Sequence, residues 1–107
     1  MIQLRRMALD QTWEFTALMV ASAPGEPGVY ALWERGELIY YGAALGGAMT
    51  IRSRLGDHFS GRDSACTVRA THYSWELSLD PRAREAALLD EYRAAHHRLP
   101  RCNAKAA

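Results

Sequence analysis

Two runs of aromatic and branched residues near the middle of the chain predict a β-hairpin. They occupy residues 28–33 and 38–42, and a short polar stretch separates them. Aromatic and β-branched residues favour strands, and polar residues with glycine between two such runs favour a turn. Before the hairpin, residues 10–22 have the composition of a short helix capped by Asp10. The sequence PGEP at 24–27 ends that segment, because proline cannot continue a helix.

The spacing of apolar residues after a glycine-rich loop predicts a first core helix. Within residues 50–60, Ile51, Leu55 and Phe59 recur every fourth position, which places them on one face of a helix. Thr50 is a suitable N-cap for this helix. Arg54 and His58 then lie together on a flank of the same helix.

The remaining sequence predicts one strand and a second core helix. Residues 71–79 alternate between apolar and polar side chains, as a strand does, and Asp80-Pro81 is typical of a helix start. This helix should extend to about His97, and Pro100 ends it. The order is therefore β-β-α-β-α, an α+β arrangement in which residues 1–23 form an N-terminal extension that we expect to be helical. A chain of 107 residues fits one domain, here 1–107 with a core of about 27–103.

The position of Gly36 sets the expected register of the hairpin. A two-residue turn at Arg35-Gly36 would force a positive φ on Arg35, which is unfavourable. A three-residue loop, 34–36, instead puts Gly36 at the left-handed position of a G1 bulge. This second register pairs Tyr30 with Tyr40 on one face of the sheet, whereas the two-residue turn would separate them.

Composition narrows the function classes only slightly. Twelve of the thirteen basic residues are arginine, whose planar fork holds phosphate oxygens, yet the net charge is only +1. A GC-rich coding bias is the preferred explanation of the arginine content, so charge alone does not decide the function. The chain shows no apolar run long enough to cross a membrane and no secretory signal, so we expect a cytoplasmic protein without a membrane partner. Cys66 and Cys102 lack metal-ligand spacing and are expected to be ordinary reduced thiols.

One ordered set of motifs carries the chemistry. GVY stands at 28–30, YYG at 40–42, Arg-Leu at 54–55 and Pro-x-x-Asn at 100–103, after a helix that contains glutamate. This set resembles the GIY-YIG nuclease family, which includes the N-terminal cutting domain of bacterial excision repair, homing endonucleases and some restriction enzymes. The resemblance spans about residues 27–103. It implies a three-stranded antiparallel sheet flanked by helices.

The resemblance also implies the site residues. Tyr30 and Tyr40 match the two motif tyrosines, and Arg54 matches the helical arginine. His58 falls where the family often has histidine or tyrosine. Glu91 lies nine residues before Pro100 and matches the glutamate that binds the metal, Mg²⁺ or Mn²⁺, while Asn103 matches the asparagine that closes the motif. The expected catalytic set is Tyr30, Tyr40, Arg54, His58, Glu91 and Asn103, with Arg52, Arg62 and Gly42 as substrate-binding residues and Arg101 as a further basic residue near the site.

Two other carboxylates on the same helix compete with Glu91. Asp90 has Arg93 nearby at i+3, and Glu85 lies about one turn from the helix start, where acids interact with the helix dipole. Glu91 has no basic residue at i±3 or i±4. Glu91 is therefore the preferred metal ligand.

Three departures from the family pattern bear on activity. Tyr41 stands where an aliphatic residue is usual, Ala43 replaces a lysine often found after the second motif, and the loop to the arginine helix is longer than usual. The missing lysine removes one expected phosphate contact. The long loop leaves a choice between Arg52 and Arg54.

These residues suit phosphodiester hydrolysis. The reaction needs an activated water, relief of charge on the transition state and help for the leaving oxygen. Mg²⁺ often needs only one or two protein carboxylates, arginine can hold a non-bridging oxygen, and a tyrosine near cations can accept a proton. We therefore expect a divalent-metal-dependent endonuclease acting on nucleic acid, with DNA as the preferred substrate. The alternative is a binding module that keeps the fold without full activity. Sequence specificity is expected to be low, or to come from a homodimer or a partner protein.

Overall fold

One four-stranded antiparallel sheet organises the structure. The computed structural model describes residues 8–105, and the strand order in the sheet is β1-β4-β2-β3. The strands are β1 (Trp13–Glu14), β2 (Gly28–Glu34), β3 (Glu37–Ala44) and β4 (His72–Leu77). The helices are α1 (Ala17–Ala21), α2 (Ile51–Phe59), α3 (Pro81–His96) and α4 (Arg101–Lys105). Within residues 8–105, no helix is long and apolar enough to cross a membrane.

The predicted core order is confirmed, because β2, β3, α2, β4 and α3 follow one another as expected. The caps are confirmed as well. The Thr50 side chain accepts a hydrogen bond from the Ser53 N–H at the start of α2, and Asp80 accepts from the Ala83 N–H at the start of α3. These caps satisfy backbone donors that the first helical turn leaves free.

The prediction of one helix over residues 10–22 is wrong. A 3-10 turn, Ala8–Asp10, is followed by β1, which pairs with β4 and adds a fourth strand to the predicted three. The helix begins only after Thr16, whose side chain accepts from the Met19 N–H. Pairing with the edge of β4 therefore overrides the local helix signal. Residues 1–7 of the predicted extension lie outside the described residues.

The hairpin turn also differs from the prediction. Glu34 pairs with Glu37, so the loop has two residues, and Arg35 and Gly36 both adopt positive φ, 50° and 86°. Turns of this kind match the right-handed twist of the flanking strands. The Arg35 N–H donates to the Thr71 hydroxyl at 2.9 Å, a long-range contact that offsets the unfavourable φ of Arg35.

A bulge in β3 restores the alignment that the two-residue turn would otherwise lose. Leu32 pairs with Tyr40 and Trp33 with Leu38, so Ile39 is the extra residue. Tyr30 pairs with Gly42 rather than with Tyr40. Because Tyr40 and Gly42 are two residues apart, the phenols of Tyr30 and Tyr40 share one face, with ring centroids 6.2 Å apart. The predicted common face is confirmed, although the predicted register is wrong.

Each side of the sheet has its own buried cluster. Tyr30, Leu32 and Ile39 pack on one side with Ile51 and Leu55 of α2. On the other side, Val29 and Ala31 pack with Leu88 of α3. The side that carries the tyrosines is therefore the side on which α2 packs.

The expectation of two reduced thiols is wrong. Cys66 and Cys102 form a disulfide across a sequence separation of 36 residues. Cys66 directly precedes the 3-10 turn Thr67–Arg69, and Cys102 lies in α4. The sequence does not indicate this disulfide, because the two cysteines are far apart along the chain. Their sulfurs meet only because α4 packs beside the tyrosine-bearing side of the sheet.

Candidate active site

Tyr30 is fully buried, and Gly42 makes room for it. Tyr30 and Gly42 are paired across β2 and β3, and a Cβ at position 42 would collide with the ring and hydroxyl of Tyr30. Packing against Tyr30 therefore explains why a glycine is needed at position 42, independently of any contact with substrate. The Tyr30 side chain is held in one place by this close approach.

A chain of hydrogen bonds extends from Tyr30 into the protein. The Tyr30 hydroxyl lies 2.8 Å from Nε2 of His58, and Nδ1 of His58 lies 2.8 Å from the hydroxyl of Thr67. That hydroxyl in turn lies 3.1 Å from the hydroxyl of Ser64. His58 is completely buried, so these bonds satisfy both ring nitrogens.

The shifted pKa values of Tyr30 and His58 indicate the protonation state of each group at pH 7. Burial, and then the neighbouring Tyr40, raise the pKa of Tyr30 far above its usual value, so Tyr30 keeps its proton, and its hydroxyl lies within hydrogen-bond distance of Nε2 of His58. Burial lowers the pKa of His58 to about 4, although the nearby Asp63 opposes this. His58 is therefore neutral at pH 7, so one of its ring nitrogens donates a hydrogen bond and the other accepts one.

His58 should make the protein less stable in mild acid. Its pKa lies below the unfolded value, so the unfolded chain binds the proton first as the pH falls. We expect this group to contribute a loss of roughly 3 kcal/mol in the free energy of unfolding as the pH falls from about 6.5 to about 4. Urea unfolding across this range would measure the loss. His58→Gln should show a shallower dependence over the same interval, and an equal dependence in both proteins would contradict the role given to His58.

Tyr40 is the more accessible of the two phenols. It lies half-buried on the edge strand β3, with its ring centroid 5.0 Å from that of His58. Burial, and then the neighbouring Asp63, raise the pKa of Tyr40, whereas the Arg54 guanidinium lowers it. Tyr40 is therefore the phenol that a water molecule or substrate can reach.

Arg54 is oriented by two carboxylates. Its guanidinium contacts Asp57 at 3.1 Å and Asp63 at 3.0 Å. These contacts hold the side chain beside the tyrosines, and it still lines the open cavity described next. A guanidinium fixed in this way needs little reordering to bind an anion.

One open cavity of about 390 Å³ joins these groups. Tyr30 and Tyr40 form part of its wall, and Arg54 comes from α2. The N-terminal part of α3 supplies Arg82 and Glu85, and the loop after β3 supplies apolar side chains. The lining residues are Tyr30, Tyr40, Ala43, Leu45, Met49, Arg54, Arg82 and Glu85.

Glu85, and not Glu91, is the carboxylate at this cavity. Glu85 is partly buried, and burial raises its pKa although Arg82 and Arg54 lower it. Glu91 is exposed and lines a different cavity, together with Asp10 and Tyr41. The expected convergence of Glu91 with the two tyrosines is therefore not found.

The other predicted arginines do not reach the cavity. Arg52 donates to the carbonyl oxygen of Ala23 at 2.8 Å, and Arg62 is an exposed residue 3.6 Å from Asp57. Arg101 pairs with Glu34 and Glu37. Arg62 lies near Arg54, because both pair with Asp57, but none of Arg52, Arg62 and Arg101 lines the cavity.

Asn103 acts on the edge strand. Its side-chain oxygen accepts from the Tyr41 N–H, and its side-chain N–H donates to the Tyr41 carbonyl, both at 2.9 Å. The amide thereby takes the place of a neighbouring strand at this edge. It positions the backbone between Tyr40 and Gly42 and does not line the cavity.

Comparison with solved structures identifies this arrangement. The chain is similar to the GIY-YIG N-terminal endonuclease domain of UvrC from Thermotoga maritima bound to magnesium, with 26% sequence identity and a TM-score of 0.57. The match covers 71% of this chain and 88% of that one. This chain has the fold of a GIY-YIG endonuclease domain. A point mutant of the same domain, bound to its catalytic divalent cation, matches at 25% identity and a TM-score of 0.58, over 71% of this chain and 87% of that one. Neither a protein-family model nor a curated protein sequence matches the chain.

Within this GIY-YIG fold, sequence reasoning missed Glu85 and Arg82 as cavity residues. Glu85 competes with Glu91 in the sequence, but the nine-residue distance between Glu91 and Pro100 favours Glu91. Arg82 gave no signal, because an arginine in the first turn of a helix is ordinary. Their i, i+3 spacing places both on one side of α3, and that is the one feature of the sequence that associates them.

Proposed function

We propose that the protein is a divalent-metal-dependent endonuclease that hydrolyses phosphodiester bonds in nucleic acid, with DNA as its substrate. The observation that carries this proposal is the convergence of two phenols, two guanidinium groups and one carboxylate in a single open cavity of the GIY-YIG fold. Each group has a part in the reaction. A binding module would not require this combination.

Glu85 is the residue that we assign to the metal, Mg²⁺ or Mn²⁺. Its carboxylate lines the cavity, where burial raises its pKa although Arg82 and Arg54 lower it. Hard divalent cations prefer oxygen ligands and often keep most of their waters, so one carboxylate with a substrate phosphate suffices. When bound, such a cation acidifies water and offsets charge on the phosphate. Glu91 lies at another cavity and is not part of this assignment.

Two arginines are suited to the phosphate. Arg54 is held by Asp57 and Asp63 and presents donors to the cavity. Arg82 is exposed and supplies positive charge at the same cavity, which Ala43, in place of the usual lysine, also lines. We propose that Arg54 binds a non-bridging oxygen of the scissile phosphate and that Arg82 binds a neighbouring phosphate.

The two tyrosines have different parts. Tyr30 is buried and protonated, and it positions the site through His58. Tyr40 is accessible; burial and Asp63 raise the pKa of its phenol, the Arg54 guanidinium opposes them, and a divalent cation held by Glu85 would lower that pKa further. Once ionised, Tyr40 accepts the proton of the attacking water, whose oxygen bonds to phosphorus. The bond from phosphorus to the leaving oxygen then breaks, and that oxygen takes its proton from solvent.

Incubation with supercoiled plasmid tests the proposal. We expect nicked and linear products with Mg²⁺ or Mn²⁺, and none when a chelator is present. Because contaminating nucleases give similar products, Arg54→Lys prepared in parallel should be strongly impaired. Binding of plasmid without any cleavage, with either metal, would support the non-catalytic binding module instead.

A further inference from the structure

The loop after β3 gives the cavity an apolar wall. From Gly42 to Ile51 the sequence contains no charged side chain, and Leu45 and Met49 from this loop line the cavity. Both remain 40% exposed. Phosphates are bound by charged and hydrogen-bonding groups, so two aliphatic side chains here do not suit a phosphate.

The loop is held in a defined shape. The N–H and C=O groups of Gly46 and Met49 bond to each other reciprocally, at 2.9 and 3.1 Å, across a tight turn. The Ser53 hydroxyl donates to the carbonyl oxygen of Ala48 at 3.1 Å. These bonds fix Leu45 and Met49 beside the catalytic groups at little further entropic cost on binding.

The chemistry of this wall indicates its ligand. Leucine and methionine are among the side chains that insert between bases or cover an exposed base face. In an intact duplex the base faces are hidden by stacking. An apolar wall beside the scissile phosphate therefore contacts a base only where the substrate is unpaired or distorted.

We propose that Leu45 and Met49 contact the face of an unstacked base next to the scissile phosphate, so that the enzyme selects nucleic acid with unpaired nucleotides over perfect duplex. This inference rests on the proposed nuclease function and names its substrate class. Continuity with the cavity that contains Tyr40, Arg54 and Glu85 favours a base over a protein partner as the occupant. Arg54 and Arg82 hold the phosphates on the charged part of the same cavity.

Two DNA substrates of matched sequence test the proposal. One is a perfect duplex of about 30 base pairs and the other contains a three-nucleotide bulge, with 2-aminopurine in the bulge and at the same position of the duplex. Binding is measured with Ca²⁺, and cleavage with Mg²⁺. For the wild type we expect about tenfold tighter binding of the bulged DNA, of the order expected for covering one base face, and a change in 2-aminopurine fluorescence only for the bulged DNA.

The double variant Leu45→Ala/Met49→Ala should lose this preference and the fluorescence change. Leu79→Ala is the matched control, because Leu79 is fully exposed and lines a different cavity; it should behave as the wild type. If the double variant keeps the preference for bulged DNA, the inference is wrong. It is also wrong if the wild type is a dimer and the double variant is a monomer, because Leu45 and Met49 would then form a subunit interface. A wild type that neither binds nor cuts either DNA contradicts the proposed nuclease function itself, whereas equal cutting of both substrates contradicts only the present inference.

Discussion

Glu85→Gln is expected to reduce DNA cleavage by roughly three orders of magnitude or more, because the cavity loses its metal-binding charge. Glutamine has nearly the size and helix preference of glutamate, so α3 should remain intact. Binding of DNA should hold or tighten, since removal of a carboxylate lessens repulsion of phosphates. A second measurement is the rise in melting temperature on adding Mg²⁺ without DNA, which the variant should lose.

Two neighbours on α3 provide matched controls for Glu85. Glu91→Gln and Asp90→Asn remove the same charge from the same helix, but neither residue lines the cavity. Both variants should keep cleavage rates within about twofold of wild type, as exposed substitutions usually do. If Glu91→Gln is inactive while Glu85→Gln still cuts, the assignment of the metal to Glu85 is wrong, and the distance from Pro100 identifies the ligand after all.

Tyr40→Phe should lower kcat by about a hundredfold or more, with little effect on binding, because the variant keeps the ring and loses only the group that accepts the proton. Cleavage rates under saturating and limiting substrate would separate the two effects. The wild-type rate should rise with pH as the Tyr40 phenol ionises, since burial raises its pKa, and the variant should lose this rise.

Tyr41→Phe is the control for Tyr40. It removes the same hydroxyl from the next residue, which lies on the opposite side of β3 and lines a different cavity. Its cleavage rate should match the wild type. Should Tyr30→Phe abolish cleavage while Tyr40→Phe does not, the buried phenol and His58 form the proton acceptor, and Tyr40 has only a binding role.

The fold was predictable where local signals and packing agree. The strands 28–33 and 38–42, the cap at Thr50 and the Asp80-Pro81 start all appear as expected. The hairpin turn was not predictable from the sequence, because the φ of Arg35 depends on strand twist and on the Thr71 hydroxyl, which is 36 residues away in the sequence. The common face of the phenols was predicted correctly from a wrong register, since the bulge at Ile39 compensates for the shorter loop.

The site was predictable in part. The motifs led to Tyr30, Tyr40 and Arg54, which the structure brings together. The carboxylate was not predictable from spacing alone. Glu85 and Glu91 differ by six residues, or about 240° around a helix, so they face different surroundings. Which direction faces the cavity depends on how α3 packs against β3, and a distance counted from Pro100 carries no information about that.

The disulfide closes the segment from Cys66 to Cys102 into a covalent ring. That ring contains β4 and all of α3, and therefore Glu85, whereas Tyr30, Tyr40 and Arg54 belong to the linear part of the chain before it. Its two ends adjoin Thr67, which supports His58, and Asn103, which supports β3. A protease that cuts once within the ring therefore leaves the two fragments joined by the disulfide bond. The helix that carries the carboxylate stays covalently linked to the part of the chain that carries the two tyrosines and Arg54.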